Sequence, residues 1–349
     1  MNLYDPARIP RSTIPENQEF PMLALSSWVT PENKFYIRNH FPYPALPIND
    51  WTLSIVGFVQ HPIHMNYQTL FQYPQITLPV TMECSGNKRA YFRPKTRGVQ
   101  WEQGAVSHAI WTGVSLRTLL QVAGISPNAR EVIFEGMDTG ERTDLPGTFR
   151  FARSLPIEKA MHPDTLIALY MNGKPIPYKH GYPARLIVPN WYGMASVKWL
   201  YRIVATDQEF KGPFQDNDYI VYHSEADSQR RPVTLMKVNA VISQPTDQTI
   251  MRRGIHIITG TAWSGHGFVK KVEISLDHGK SWSLVRWLDP EEKYSWRRWG
   301  WDWHVPVPGT YLITVKATDD KDNTQPLQAE WNVNGYENNA MPQIQVYVE

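Results

Sequence analysis

The chain has 349 residues, 42% hydrophobic and 19% charged, enough for two globular domains. A net charge of +2 is too small to make nucleic acid or a membrane surface its main partner. The single cysteine excludes an intrachain disulfide, a Cys-x-x-Cys zinc site, a cysteine-held iron–sulfur cluster and a Cys-x-x-Cys-His haem attachment. It leaves room for a metal held mainly by an organic cofactor.

No apolar run approaches the ~18 residues of a membrane span, and the first ten residues carry no signal-peptide pattern. A cytoplasmic protein is expected, or a periplasmic or exported one if a leader has been removed.

Residues 1–50 carry eight of the 28 prolines, the pattern of an extended arm laid over the protein instead of helices. Within the arm, residues 35–42 read as a loop with a buried aromatic and an exposed arginine. Residues 51–59 alternate as a strand, and residues 67–71 predict a short helix. Residues 75–82 are apolar and β-branched, a short buried strand with Pro79 early in it. Ser85-Gly86-Asn87 then forces a turn, so Cys84 is presented at a strand end. Lys88, Arg89, Arg93, Lys95 and Arg97 follow, five cations in ten residues with no acid among them. A thiol beside that charge is expected to have a lowered pKa, and a thiolate is a nucleophile or a soft-metal ligand. The plainer alternative is a small buried hydrophobe beside a solvated basic face.

Further on, residues 115–124 predict a helix with Ser115 near its start and Gly124 as its stop. Residues 130–136 predict a strand leading into a turn at Met137-Asp138-Thr139-Gly140, and residues 164–173 another strand ending in a turn. Strands and short helices mix without regular βαβ alternation, which is α+β. No G-x-G-x-x-G or P-loop supports nucleotide binding. His180, Arg185 and Lys198 flank an apolar strand at 186–188, and cations at strand ends suit a phosphate or are ordinary solvated ends. Tyr219 reads as a surface aromatic before Ile220-Val221-Tyr222.

Past Arg231-Pro232 the composition changes to short strands between turns, clearest at 249–261, 269–276, 282–288 and 310–318. Asp277-His278-Gly279-Lys280 reads as a hairpin turn. This spacing predicts an immunoglobulin-like sandwich. Trp282, Trp287, Trp296, Trp299, Trp301 and Trp303 are more than one small sandwich core needs, which points to an interface.

Together these segments resemble the sulfite oxidase family of molybdopterin-dependent oxidoreductases. Cys84-Ser85-Gly86-Asn87-Lys88-Arg89, with Gly98-Val99-Gln100-Trp101 and Gly104-Ala105-Val106-Ser107, is similar to that family's molybdenum-binding segment. Phe35 to His40 resembles its Phe-x-Arg-Asn-His motif. Residues 180–185 and 197–200 resemble its His-Gly-x-Pro-x-Arg and Val-Lys-Trp-Leu motifs, and residues 262–265 and 301–306 its dimerisation domain. Lys88 departs from the arginine of many relatives, and Arg97 from their lysine; both keep the charge and change the geometry.

The resemblance implies Cys84 as the one protein ligand to molybdenum, beside two sulfurs of the pterin dithiolene. It implies Tyr36, Ile37, Arg38, Asn39 and His40 lining the cofactor pocket, and Asp138, His180, Arg185, Ser196, Val197 and Lys198 holding the pterin and its phosphate. Arg38, Arg89 and Arg97 would hold an oxyanion, Trp101 would wall the pocket, and Tyr219 matches the family's active-site tyrosine. The domains implied are a catalytic domain at 51–232, to which the arm at 1–50 belongs, and a dimerisation domain at 235–349. The activity implied is oxidation of sulfite to sulfate in a homodimer. No haem is expected in this chain, so electrons would pass to a separate acceptor such as a cytochrome or oxygen. The alternatives are a nitrate reductase, an oxidase of another sulfur compound, or a cofactor-free interaction module in which Cys84 is an inert core residue.

Overall fold

The computed structural model describes residues 7–45, 50–305 and 307–349. Residues 1–6, 46–49 and 306, which include parts of the proline-rich arm and of the 301–306 stretch, lie outside the described residues. The architecture is mostly sheet with few helices. Two five-stranded sheets organise the first part of the chain, and two further sheets pack as a sandwich in the second.

In the first sheet, Val106–Ser115 sits between Gln75–Glu83 and Leu166–Met171, all antiparallel, and Arg185–Ile187 pairs with the far side of Leu166–Met171. Gln75–Glu83 is an edge strand, which is where Pro79 is tolerated, since its missing N–H costs the ladder nothing there. The second sheet runs Ile63–Asn66, Thr52–Gly57, Leu200–Thr206, Glu131–Glu141 and Thr148–Pro156, with one parallel pair at its centre. The short helix at Tyr67–Leu70 is capped by the Asn66 side chain, which accepts from Thr69 N. The Leu116–Val122 helix stops at Gly124, whose φ is 65°.

The turn expected at residues 137–140 is instead a bulge inside the long Glu131–Glu141 strand. Glu135 faces Ala152 and Thr139 faces Arg150, so three residues oppose one. The inserted residues carry Asp138 out of the regular pleat, toward the cavity described below.

The arm is built into the fold and does not simply lie over it. Ile9–Thr13 pairs with Glu16–Glu19, and all four residues of the second strand are buried. Polar residues survive there because the backbone supplies partners: the Glu19 carboxylate accepts from Glu102 N at 2.5 Å and Gly104 N at 3.1 Å. Gln18 then exchanges both backbone hydrogen bonds with Ile37, drawing residues 35–41 against the core.

In the sandwich, Val238, Ile242, Ile258, Trp299, Trp303, Ile313, Val315 and Val346 fill the space between the sheets. Two stretches that read as single strands change sheets midway. Thr249–Met251 pairs with Gln343–Val348, whereas Gly254–Trp263 pairs with Asn239–Gln244 and Arg297–Val305; Gly254, at φ 135°, makes the corner. Ser283–Leu284 and Arg286–Trp287 divide in the same way.

Part of the tryptophan density has a cause within the chain. Trp299 and Trp303 belong to the sandwich core, while Trp263 and Trp296 are buried against the first domain. Trp296 N donates to Thr81 Oγ1 at 2.5 Å, and its Nε1 to Trp28 O at 2.8 Å. Trp282, Trp287 and Trp301 stay partly exposed, so core and interdomain contact account for only part of the set.

Candidate active site

Cys84 follows the edge strand directly, and the chain turns over the next four residues. Asn87 N donates to Cys84 O at 2.9 Å, Arg89 N to Gly86 O at 3.0 Å, and Lys88 takes a left-handed φ of 64°. The second domain fastens this loop. Glu83 accepts from Asn87 Nδ2 at 2.9 Å, Asn239 Nδ2 at 3.1 Å and Trp263 Nε1 at 2.8 Å. Lys88 Nζ donates to Asn239 Oδ1 at 2.5 Å and Ala240 O at 2.9 Å. Burial pushes the Glu83 pKa up and the Lys88 pKa down. A buried acid and base bridged by one amide hold the thiol in place from behind.

The thiol opens on a narrow cavity. Tyr36, Ile37, Arg38, His40, Asp138, His180, Arg185, Ser196, Lys198 and Tyr219 line it with Cys84, so eleven residues named from the sequence meet in one place. Phe35, Phe151, Lys179, Gly193 and Met194 complete the lining.

Each wall has a local cause. Asn39 anchors the arm segment, its N donating to Asn17 Oδ1 at 2.9 Å and its Nδ2 to Glu16 O at 3.0 Å, which leaves Arg38 and His40 on the cavity side. The Tyr178–His180 turn ends at Gly181, φ 113°, where a Cβ would come within 3.0 Å of Lys198. Glycine therefore lets the histidine and lysine segments approach closely. Arg185 is buried and donates to Ser196 O at 3.2 Å, His180 O at 3.1 Å and Met82 Sδ at 3.0 Å. Lys198 Nζ donates to Asn39 Oδ1. The Tyr219 hydroxyl and His40 Nε2 share a hydrogen bond of 2.7 Å.

The charge is lopsided. Arg38, Lys179, Arg185 and Lys198 face the cavity against one lining acid, Asp138. Lys179 is paired with Glu16 at 3.0 Å, but among the described residues Arg38, Arg185 and Lys198 have no carboxylate within ion-pair distance. Burial, then neighbouring cations, hold the His40 and His180 pKa values well below the usual range, so both rings are neutral. Burial lowers Arg185 to about 10 and raises Asp138. A buried cavity with surplus cations is costly until an anion enters it.

The basic run after Cys84 does not form the site. Arg93, Lys95 and Arg97 are exposed, and Lys88 turns to the second domain. Arg89 is buried, but its guanidinium donates to Val99 O, Asn334 O and Gly335 O at 3.1–3.2 Å and does not line the cavity. The lowered thiol pKa expected from that run is absent: burial pushes Cys84 up, and Arg38 and Arg89 pull against it without prevailing. Trp101 is fully buried in one apolar cluster with Cys84, Phe35 and Trp111 and does not line the cavity. Val197 is core, and Asn39 acts through Lys198 and the arm. Lys179 adjoins His180 but stands in none of the motifs, and Arg8, which reaches His180 and Phe35 O, carries no motif either.

This donor set fits a molybdopterin cofactor. One thiol on the wall suits a soft metal that takes its remaining ligands elsewhere, and Arg185 and Lys198, without a carboxylate at ion-pair distance among the described residues, suit a phosphate. Among the described residues no group of three or more His, Cys, Asp or Glu could hold a metal without an organic cofactor.

Comparison with known proteins agrees. Residues 40–214 match the oxidoreductase molybdopterin binding domain, and residues 230–349 the Mo-co oxidoreductase dimerisation domain. The chain is 33% identical to mitochondrial sulfite oxidase of Rattus norvegicus, over 99% of this chain and 67% of that one. It is 34% identical to a nitrate reductase [NADH] of Solanum lycopersicum, over 96% of this chain and 40% of that one. The crystal structure of the sulfane dehydrogenase SoxCD from Paracoccus pantotrophus superposes with a TM-score of 0.84 at 29% identity, covering 95% of this chain and 84% of that chain. With its thiol, its cation-lined cavity and its C-terminal sandwich, the chain belongs to the sulfite oxidase family of molybdopterin-dependent oxidoreductases.

Proposed function

We propose that this oxidoreductase converts sulfite and water to sulfate, two protons and two electrons, the electrons leaving to a separate acceptor such as a cytochrome or oxygen. Molybdenum held by Cys84 and the pterin supplies two-electron oxygen-atom transfer when bound. His180, Arg185, Ser196 and Lys198 hold the pterin and its phosphate, with Asp138 facing the same space. Arg38 binds the oxyanion, and Tyr219 hydrogen-bonds it and handles a proton with His40. The observation that carries this reading is one cavity shared by Cys84, the carboxylate-free Arg38 and the Tyr219–His40 pair. In a buried site a guanidinium attracts an anion more strongly than in bulk water.

Arg89 and Arg97 take no part in this scheme, since one is engaged with backbone carbonyls and the other is exposed. The sandwich makes the contact of a two-fold homodimer, a reading supported by the dimerisation-domain match and by exposed Ile255 and Ile257 on one strand.

The test is the molybdenum content of the purified protein, followed by sulfite-dependent reduction of ferricyanide. About one molybdenum per chain with sulfite turnover is expected. Reduction of the acceptor by thiosulfate but not sulfite would redirect the reading to another sulfur compound. Nitrate consumption by the reduced enzyme would reverse the sense of transfer.

A further inference from the structure

Tyr219 is held by a loop of the second domain, more than a hundred residues downstream. Asn334 Nδ2 donates to Asp218 O at 3.3 Å and to Ile220 O at 3.1 Å, so one side chain grips the backbone on both sides of Tyr219. The Tyr336 ring stacks on the Tyr219 ring, with centroids 5.5 Å apart and planes at 21°. The Arg89 guanidinium lies 4.9 Å from the Tyr336 centroid, and that of Arg153 lies 5.4 Å from the Tyr219 centroid.

Two phenol rings are thus packed with two buried guanidiniums. Neither Arg89 nor Arg153 has a carboxylate within ion-pair distance among the described residues, and Arg153 Nε is buried without a hydrogen-bond partner. Backbone carbonyls take part of each charge, those of Val99, Asn334 and Gly335 for Arg89 and that of Phe214 for Arg153, and the aromatic faces add to them. Tyr336 is itself pinned: its N donates to Asn332 Oδ1 at 3.0 Å, and its O accepts from Asn332 Nδ2 at 2.8 Å. Its hydroxyl makes no hydrogen bond with a described residue, so what it contributes within the protein is the ring. On the far side, the Tyr219 hydroxyl is fixed by His40.

We infer that Tyr336 is a positioning residue, supplied by the second domain, whose ring holds the Tyr219 phenol in register with His40 and the oxyanion. The first domain therefore carries the thiol and the cofactor walls but lacks a complete reaction site. This inference rests on the reading of Tyr219 as an oxyanion-site residue. A ring held from one side only samples several rotamers, and a small misplacement of a proton-handling group lowers turnover more than binding.

The experiment compares wild type, Tyr336→Phe, Tyr336→Leu and Asn334→Ala holoenzymes at matched molybdenum content. The chains are labelled with 3-fluorotyrosine, and the Tyr219 fluorine resonance is assigned by its loss in Tyr219→Phe. The leucine variant is expected to lose roughly tenfold in kcat for sulfite, about 1.4 kcal/mol. Its KM should stay within about twofold, and its Tyr219 resonance should move as the ring current of Tyr336 is removed. Tyr336→Phe should keep both the wild-type kcat and the wild-type environment of Tyr219. Asn334→Ala, which removes no ring, should lose a few-fold in kcat and decides the matter if the leucine variant does not fold. Unchanged kcat in the leucine and alanine variants overturns the inference, as does an equal loss in the phenylalanine variant. A wild-type enzyme inert to sulfite, with the resonance shifted as expected, overturns the substrate reading alone.

Discussion

Replacing Arg38 by glutamine is the sharpest probe of substrate binding. The guanidinium lines the cavity, and its hydrogen bonds within the protein run from one terminal nitrogen, to Asn39 O and, at 3.4 Å, to Asn17 Oδ1. The rest of the fork remains for an anion. At an effective dielectric of 20, two unit charges 4 Å apart attract by about 4 kcal/mol, part of which desolvation cancels. A charge-assisted hydrogen bond nets about 1.5–3 kcal/mol, which is roughly a ten- to hundredfold loss in kcat/KM. Most of the loss should fall on KM, with some on kcat if Arg38 also orients the anion. Molybdenum content should not change, because Cys84, Arg185 and Lys198 are untouched. Arg38 also keeps His40 neutral, after burial itself, so the His40 pKa should rise in the variant. Steady-state kinetics at equal molybdenum loading, over a range of sulfite concentrations, make the measurement. An unchanged kcat/KM would mean that Arg38 does not meet the substrate, or that sulfite is not the substrate; the same assay with thiosulfate and nitrate separates the two.

Cys84→Ser should abolish sulfite oxidation while circular dichroism shows the fold retained, since a hydroxyl is a poor soft-metal ligand; full activity in that variant refutes the ligand assignment. Arg185→Ala should lower molybdenum occupancy and cost about 1–3 kcal/mol, because the Ser196 and His180 carbonyls lose their donor. Full metal content by elemental analysis would show that Arg185 does not anchor the cofactor. His108 is buried between Trp28 and Trp296, and burial lowers its pKa to about 3. The unfolded chain binds that proton below about pH 6.5, so stability should fall by up to roughly 1.4 kcal/mol per pH unit as the pH drops from about 6.5 toward about 3. Urea denaturation of His108→Phe should show a shallower pH slope, and an identical slope counts against His108 as the source. Sedimentation at micromolar concentration should show a dimer of the 40.3 kDa chain; a single 40.3 kDa species would remove the proposed interface.

Much of this was decided locally. Cys84 at a strand end follows from an apolar β-branched run meeting Ser85-Gly86-Asn87, and helix, hairpin and sandwich strands follow from periodicity and turn residues. The cavity lining was legible because Arg38, His40, Cys84, His180, Arg185 and Lys198 lie in short motifs whose residue order survives folding. What the tertiary structure alone decided is where each charge goes. The run from Lys88 to Arg97 looks uniform in sequence, yet Lys88 and Arg89 are buried toward the second domain while Arg93, Lys95 and Arg97 are exposed. Desolvation, not the count of nearby cations, then governs the thiol. The expected turn at residues 137–140 became a bulge because pairing on both sides kept the strand continuous around Asp138. Trp299 and Trp303 went to the core of the second domain and Trp263 and Trp296 to its contact with the first, and Tyr336 reached Tyr219 across the boundary. Contacts between residues a hundred or more positions apart leave no periodic trace in either segment. Charge, burial and pairing at this site are therefore set by the packing of two domains, and composition could only supply the residues that were packed.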